Sequence, residues 1–388
     1  MRIALLNLET QEAKVLIDKG TCAYYVPSGH LVYSWENDLL AAKFDIDNFN
    51  VTGPSFPVTQ DIFAPLWYGQ ALFSLSQTGT LAYIPKVTRG STTLAWIELS
   101  GKTEQLSLEP AEYGSPRISP DGKKILFTRL DKRNKIWIYD LERENLRRLM
   151  DDDGDEWLPV WTLDGQRVVF NSTRQGIIQG TMYWKSVEGD EPPERIVEGE
   201  SWPCPHSFSP DGKLLAYRLI SAKTGYDIWM LPMVGKKSPW PYLQTKAYET
   251  WPRFSPDGKW ISYVSSESGQ IEVYVRPSQP SIGRYQKISN NGGEMPLWSP
   301  DGKELFYIKD DKIMAVSFQG EPSLKVGKPK TIFEGALLSM SGHDYLGGYD
   351  IAPDGRRFLV VMGGEPKPIT IVQNWFEELK RLAPTGKK

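Results

Sequence analysis

Short apolar runs separated by polar turn residues fill most of the chain, and the pattern repeats. Trp251–Ser255 (WPRFS) and Lys259–Val264 (KWISYV) alternate in the manner of half-buried strands and flank Ser255-Pro256-Asp257-Gly258-Lys259. Proline presets φ for a tight turn, aspartate bonds the local backbone and glycine accepts positive φ, so this stretch closes a β-hairpin. The turn recurs around Asp121 and Gly122, Asp211 and Gly212, and Asp301 and Gly302. Looser copies surround Asp164 and Gly165 and also Asp354 and Gly355, and degenerate ones lie at Gly29 and Gly79. Successive glycines are roughly 43 to 53 residues apart, a period that signals a repeat architecture. Aspartate at one fixed local slot per repeat reads as turn chemistry in preference to catalysis.

Each repeat carries a strand into the turn, a strand out of it and a third strand, exemplified by Ile136–Tyr139, Met182–Trp184, Asp227–Leu231, Glu272–Val275 and Leu94–Ile97; a fourth follows. Four short antiparallel strands in about 40–50 residues make the blade of a propeller, so the chain is expected to be all-β. Eight turns predict about eight blades in a single domain over 1–388, with seven as the alternative. The opening strands Arg2–Leu8 and Ala13–Ile17 have no hairpin before them. The last unit offers Gly348–Ala352, Arg357–Val361 and Ile369–Asn374, followed by helical spacing over Trp375–Leu382. Residues 1–19 are therefore expected to complete the last blade and close the ring, with blades over 20–374 and a short helix and tail over 375–388.

Composition narrows the function. Lys and Arg number 45 against 48 Asp and Glu, a net charge of −3 that provides no basic footprint for nucleic acid and no polybasic membrane patch. The N-terminal apolar run soon meets acidic residues, so neither a signal peptide nor membrane insertion is expected; a chain complete as written would be a cytoplasmic monomer. Cys22 and Cys204 have no metal-like spacing and support no disulfide framework. Asn50 and Asn171 head glycosylation sequons, which matter only in a glycosylating secretory route.

Ahead of the inner strands a second pattern appears: Glu112-Tyr113, Glu156-Trp157, Glu200 with Trp202, Glu249 with Trp251, and Glu294. On one face of a propeller these would ring the channel mouth, where carboxylates and aromatic faces suit a peptide, a sugar or a cationic group. The competing reading packs the aromatic residues between blades and leaves the glutamates as loop residues. Asp151–Glu156 lacks the spacing of a calcium loop, so no metal and no cofactor is expected. His206 is placed to face the channel near Cys204, while His30 and His343 are remote in sequence. A propeller lyase or hydrolase using His206 and neighbouring carboxylates is the enzymatic alternative. The chain has no Gly-x-Ser-x-Gly elbow, Walker loop or His-x-x-x-His pair.

The Ser-Pro-Asp-Gly-Lys turns with Trp-Pro before them resemble the WD40-like repeats of the TolB family. Tyr25–Tyr33, Phe44–Asp47 with Val51–Pro54, Asn290–Glu294 with Trp298–Tyr307, and Asn374–Leu382 are similar to the propeller region attached to bacterial serine/threonine kinases and winged-helix TolB-like regulators. That resemblance implies a sensor propeller, extracytoplasmic if it belongs to a membrane kinase. It also implies a ligand- or protein-binding scaffold docking its partner at a propeller face. No kinase signature is present, and the family offers no catalytic residues to carry over.

Overall fold

The computed structural model describes residues 2–35, 38–60, 62, 71–85, 92–130, 133–174, 180–197, 202–279, 285–321, 323–335, 348–363 and 369–383. Among the described residues strands dominate, as the alternation predicts, and one helix, Trp375–Leu382, follows them. The chain divides into two compact units, residues 91–364 and residues 1–90 with 365–388.

The larger unit holds six antiparallel sheets of four main strands each. Blade 1 runs Glu112–Ile118, Lys124–Leu130, Lys135–Asp140, Asn145–Arg148, and blade 2 runs Glu156–Trp161, Arg167–Ser172, Thr181–Ser186, Glu194–Arg195. Blade 3 is Cys204–Phe208, Leu214–Ser221, Gly225–Pro232, Trp240–Leu243, and blade 4 is Glu249–Phe254, Trp260–Ser265, Glu272–Pro277, Gln286–Lys287. Blade 5 comprises Glu294–Trp298, Glu304–Lys309, Lys312–Gln319 and Lys330–Glu334, with Lys325–Val326 beside the third strand. Blade 6 joins Tyr349–Ile351 and Arg357–Met362 to Thr93–Glu98 and Thr103–Gln105. Residues from the two ends of the unit thus share one sheet and leave no open edge between first and last repeat.

Both faces of each second strand are buried, because neighbouring blades cover both sides. Ile125 packs in the cluster that includes Leu94, Trp96 and Leu359 of blade 6. The next residue, Leu126, points the other way, to Trp161 and Phe170 of blade 2. Similar clusters join blades 2 and 3, blades 3 and 4, and blades 4, 5 and 6. Each fully buried large side chain in them contributes roughly 1.5–3 kcal/mol, which explains the near-continuous apolar runs of the second strands.

The turns interlock. A Cβ placed on Gly165 would meet Pro120 of the preceding blade at 3.5 Å, on Gly258 it would meet Pro210 at 3.3 Å, and on Gly302 Pro256 at 3.5 Å. Leu163 lies against Gly212 and Pro300 against Gly355 in the same way, and Pro353 against Gly122 returns the series to its start. These six contacts close a ring of six blades.

The smaller unit has a hairpin of Ile3–Leu6 with Ala13–Ile17 and a four-stranded sheet of Thr21–Val26, His30–Trp35, Asp38–Asp45 and Asn50–Thr59. It also has a three-stranded sheet of Phe73–Leu75, Leu81–Tyr83 and Thr370–Val372. Trp375 and Leu379 of the helix pack with Leu39, Ala41 and Leu81 in its core. Two expectations are corrected here. Among the described residues the larger unit closes on itself with six blades, and the turns at Gly29 and Gly79 belong to the smaller unit, so the eight turns do not each mark a blade of that ring. The N-terminal strands pair with each other and do not complete the last blade; Thr93–Glu98 does so. Leu94–Ile97 is a third strand as its sequence suggests, but its neighbour lies some 260 residues onward in the chain.

Candidate functional site in the channel of the ring

Counting back from each turn glycine defines what the inner strands present. Seven residues before it stand Ser115, Leu158, Pro205, Trp251, Met295 and Gly348. All but Pro205 adopt positive φ, from 50° at Ser115 to 112° at Gly348. Strand pairing slips by a residue at this point in blades 1 to 5. A bulge of this kind re-aims the side chains that follow it. The sixth residues before the glycine are Pro116, Pro159, His206, Pro252, Pro296 and Tyr349, and the fifth are Arg117, Val160, Ser207, Arg253, Leu297 and Asp350.

The fifth residues are tied to the next blade around the channel. The Trp161 indole N–H donates to the Arg117 carbonyl at 3.2 Å, and that of Trp298 to the Arg253 carbonyl at 3.1 Å. The Phe254 amide donates to Ser207 Oγ at 3.1 Å, and the Ile118 amide to Asp350 Oδ2 at 2.9 Å. Arg117 and Arg253, from opposite blades of the ring, line one narrow pocket with Ser115, Trp251, Met295 and Tyr349. The free space there, about 10 Å³, takes about one water-sized group.

Among the described residues, charge in this pocket is balanced without direct ion pairs, Asp350 favouring the charged form of both arginines. Arg117 Nη1 donates to the carbonyls of Pro116 at 2.8 Å and Tyr349 at 3.5 Å, while its Nε has no partner. Arg253 Nη1 donates to the His206 carbonyl at 2.9 Å. Burial, followed by repulsion from Arg253, pushes the Arg117 guanidinium down to about 9, and burial also lowers Arg253. His206 is 0% exposed and neither ring nitrogen has a hydrogen-bond partner. Burial, then the charges of Arg218, Arg253 and Arg117, hold its imidazole well below the ordinary range, so it is neutral. The Tyr349 hydroxyl donates to the Met295 carbonyl at 3.0 Å and is driven upward by burial. The chemistry on offer is cationic hydrogen-bond donation beside a neutral imidazole.

The glutamate and aromatic positions lie elsewhere. Glu156 is fully buried between blades 1 and 2, where it accepts from the Ile136 amide at 3.0 Å and Lys135 at 3.1 Å and pairs with Arg174 at 3.6 Å. Burial outweighs these partners and pushes its carboxyl up to about 7. Glu249 is buried and accepts from the Thr245 hydroxyl and amide. Tyr113 is buried edge-on to Phe127 at 5.0 Å and donates to the Glu109 carbonyl. Trp157 and Trp202 pack together, ring centroids 5.6 Å apart, with Leu158 and Cys204. Glu112 is half-buried on the first strand of blade 1. Glu294 is half-buried beside an open groove that also contains Asn291 and Asp310, and burial raises its carboxyl. An exposed ring of glutamates and tryptophans is therefore not what these side chains form; the packed reading describes the aromatic residues, while Glu156 and Glu249 are buried and not loop residues in solvent. Only Trp251 and His206 reach the channel groups. Glu200 and His343 lie outside the described residues.

Asp152, in the acidic loop, is bound to Lys135 at 2.9 Å and Arg174 at 3.0 Å and serves the same inter-blade network as Glu156. Arg117, Arg253, Tyr349 and Asp350 escaped the sequence reading, although a signal for them exists. His206 and Tyr349 stand where the other four repeats carry proline, and one residue on, Arg117, Ser207, Arg253 and Asp350 are polar where Val160 and Leu297 are apolar.

Comparison with known proteins agrees with this architecture. Residues 73–223 match the model of the TolB beta propeller domain. An uncharacterized protein of Agrobacterium fabrum is 28% identical over 45% of this chain and 58% of its own length. Dipeptidyl-peptidase 5 of Porphyromonas gingivalis is 28% identical over 59% of this chain and 34% of its own length. The chain thus spans little more than half of one relative and about a third of the other. Among solved structures, one described as TolB from Agrobacterium tumefaciens has a TM-score of 0.56 at 18% identity, over 71% of this chain and 99% of that one. TolB from Acinetobacter baumannii has a TM-score of 0.50 at 15% identity, over 78% and 82%.

Proposed function

We propose that this chain, which carries a TolB-like β-propeller, is a non-catalytic binding scaffold that takes a peptide or small ligand into the channel of its six-bladed ring. One observation supports the reading above others: buried polar groups of the channel, His206 foremost, have hydrogen-bonding capacity that the protein leaves unmet. An unmet buried polar group costs roughly 1–3 kcal/mol, a cost that ligand contacts would recover. The partial match to a dipeptidyl-peptidase favours a peptide as the ligand class. Catalysis would need an activated nucleophile or an oriented base, and His206 has no carboxylate bonded to either nitrogen to orient it.

The test incubates the protein with a set of synthetic tripeptides and follows both thermal unfolding and peptide mass. Stabilisation with every mass unchanged is the expected result, and His206→Leu should diminish it. Hydrolysed peptide that disappears with His206→Leu would replace the scaffold with an enzyme.

A further inference from the structure

We infer that the channel pocket recognises a carboxylate, held between the guanidinium groups of Arg117 and Arg253; this rests on the reading of the channel as a ligand site. Arg117 is 8% exposed and Arg253 is partly open to the channel. Among the described residues, neither has an Asp or Glu oxygen within the 4.0 Å of an ion pair. Asp350 is the nearby acid, but its two oxygens accept from the Ile118 and Ile351 amides at 2.9 and 3.1 Å. Two cations are thereby held toward one narrow space by opposite blades, with Asp350 as a nearby counter-charge that touches neither guanidinium as an ion pair.

Buried charge is tolerated when paired, and an arrangement of this kind is retained where a ligand provides the pair. The ligand class follows from shape. A guanidinium presents a planar fork of N–H donors that matches the two oxygens of a carboxylate, and it is Nη1 of each arginine that donates to neighbouring carbonyls. The remaining donors of the two guanidinium groups suit a small, flat anion. The free space of about 10 Å³ takes one carboxylate oxygen, so Arg117 and Arg253 would have to part slightly for both oxygens to enter.

Glutarate is the probe for a free acid and trialanine for a peptide chain end; glutaramide and trialanine amide are their uncharged counterparts. Thermal unfolding of the whole chain is measured at constant ionic strength. One or both acids should raise the midpoint while the amides do not, and the responding acid identifies the kind of bearer. Arg253→Met and Arg117→Met should abolish that rise, each being compared with its own ligand-free midpoint because each also loses bonds to the Pro116, Tyr349 or His206 carbonyls. Should a methionine variant fail to fold, Arg253→Lys keeps the charge, loses the fork and should bind about tenfold more weakly. Equal shifts with acids and amides would retain the scaffold and overturn the carboxylate. No shift with any of the four probes, or undiminished shifts in the arginine variants, overturns it too; the tripeptide experiment then decides the scaffold separately.

Discussion

Glu249 carries its burial into the pH dependence of stability. It is 1% exposed, has no ion-pair partner among the described residues, and burial pushes its carboxyl up to about 6 despite the Thr245 hydrogen bonds. The folded value lies above the ordinary 4.5, so the folded protein holds the proton more tightly than the unfolded chain. The stabilisation linked to Glu249 is complete below about pH 4.5 and is lost as pH rises through 6. His206 works in the opposite sense, since its lowered value costs stability as pH falls below the ordinary range. Comparison with Glu249→Gln cancels the histidine. Between pH 4.5 and 7.5 the wild type should lose about 1–2 kcal/mol more than the variant in urea unfolding. Parallel profiles would mean that the carboxyl is not perturbed. That Glu249 and Glu156 matter was legible in the sequence, as a glutamate repeated before inner strands. Their burial was not, because the bulge after them breaks the alternation by which exposure is read.

At the element scale the roles of proline, aspartate and glycine in the turn were legible, and the part of the serine was not. In blade 5 the Ser299 hydroxyl and the Lys303 amide both donate to Asp301, at 2.7 and 3.1 Å, and the Glu304 amide donates to Ser299 Oγ at 2.9 Å. These bonds hold the Asp301 carboxyl below its usual range. Blade 6 has Ala352 in place of the serine, and Asp354 retains only the Arg356 amide, at 3.0 Å. Asp301→Ala should therefore cost about 1 kcal/mol more than Asp354→Ala, the worth of one further hydrogen bond to a charged acceptor. Chemical denaturation of the two single variants measures the difference, and equal costs would place the stabilisation in the backbone turn alone. Hidden from a local reading was what each turn touches: proline against the next blade's glycine is a contact between repeats, set by the ring and not by the hairpin.

At the scale of the molecule, turn counting failed because pairing between distant segments leaves no local trace. The same hairpin closes sheets of both units, and nothing near Thr93–Glu98 announces that its neighbour is Arg357–Met362. Phe358 tests what this pairing does. It is 0% exposed, packs edge-on to Phe306 with ring centroids 4.9 Å apart, and stands opposite Ile97 in the sheet. Phe358→Ala should cost about 3–5 kcal/mol, the transfer of the ring plus the cavity it leaves. The distribution of that cost is the more telling quantity. A closed ring lacks a free terminal blade from which unfolding can proceed unit by unit, so amide protection should fall together in Thr93–Glu98, Arg357–Met362 and the inner strands of blades 1 and 5. Amides of His30–Trp35, in the smaller unit, should keep their exchange rates. If protection fell only in blade 6, the ring would behave as an open stack of repeats, and a channel site built from opposite blades would have no rigid frame. Loss shared equally by His30–Trp35 would instead make the two units one cooperative body.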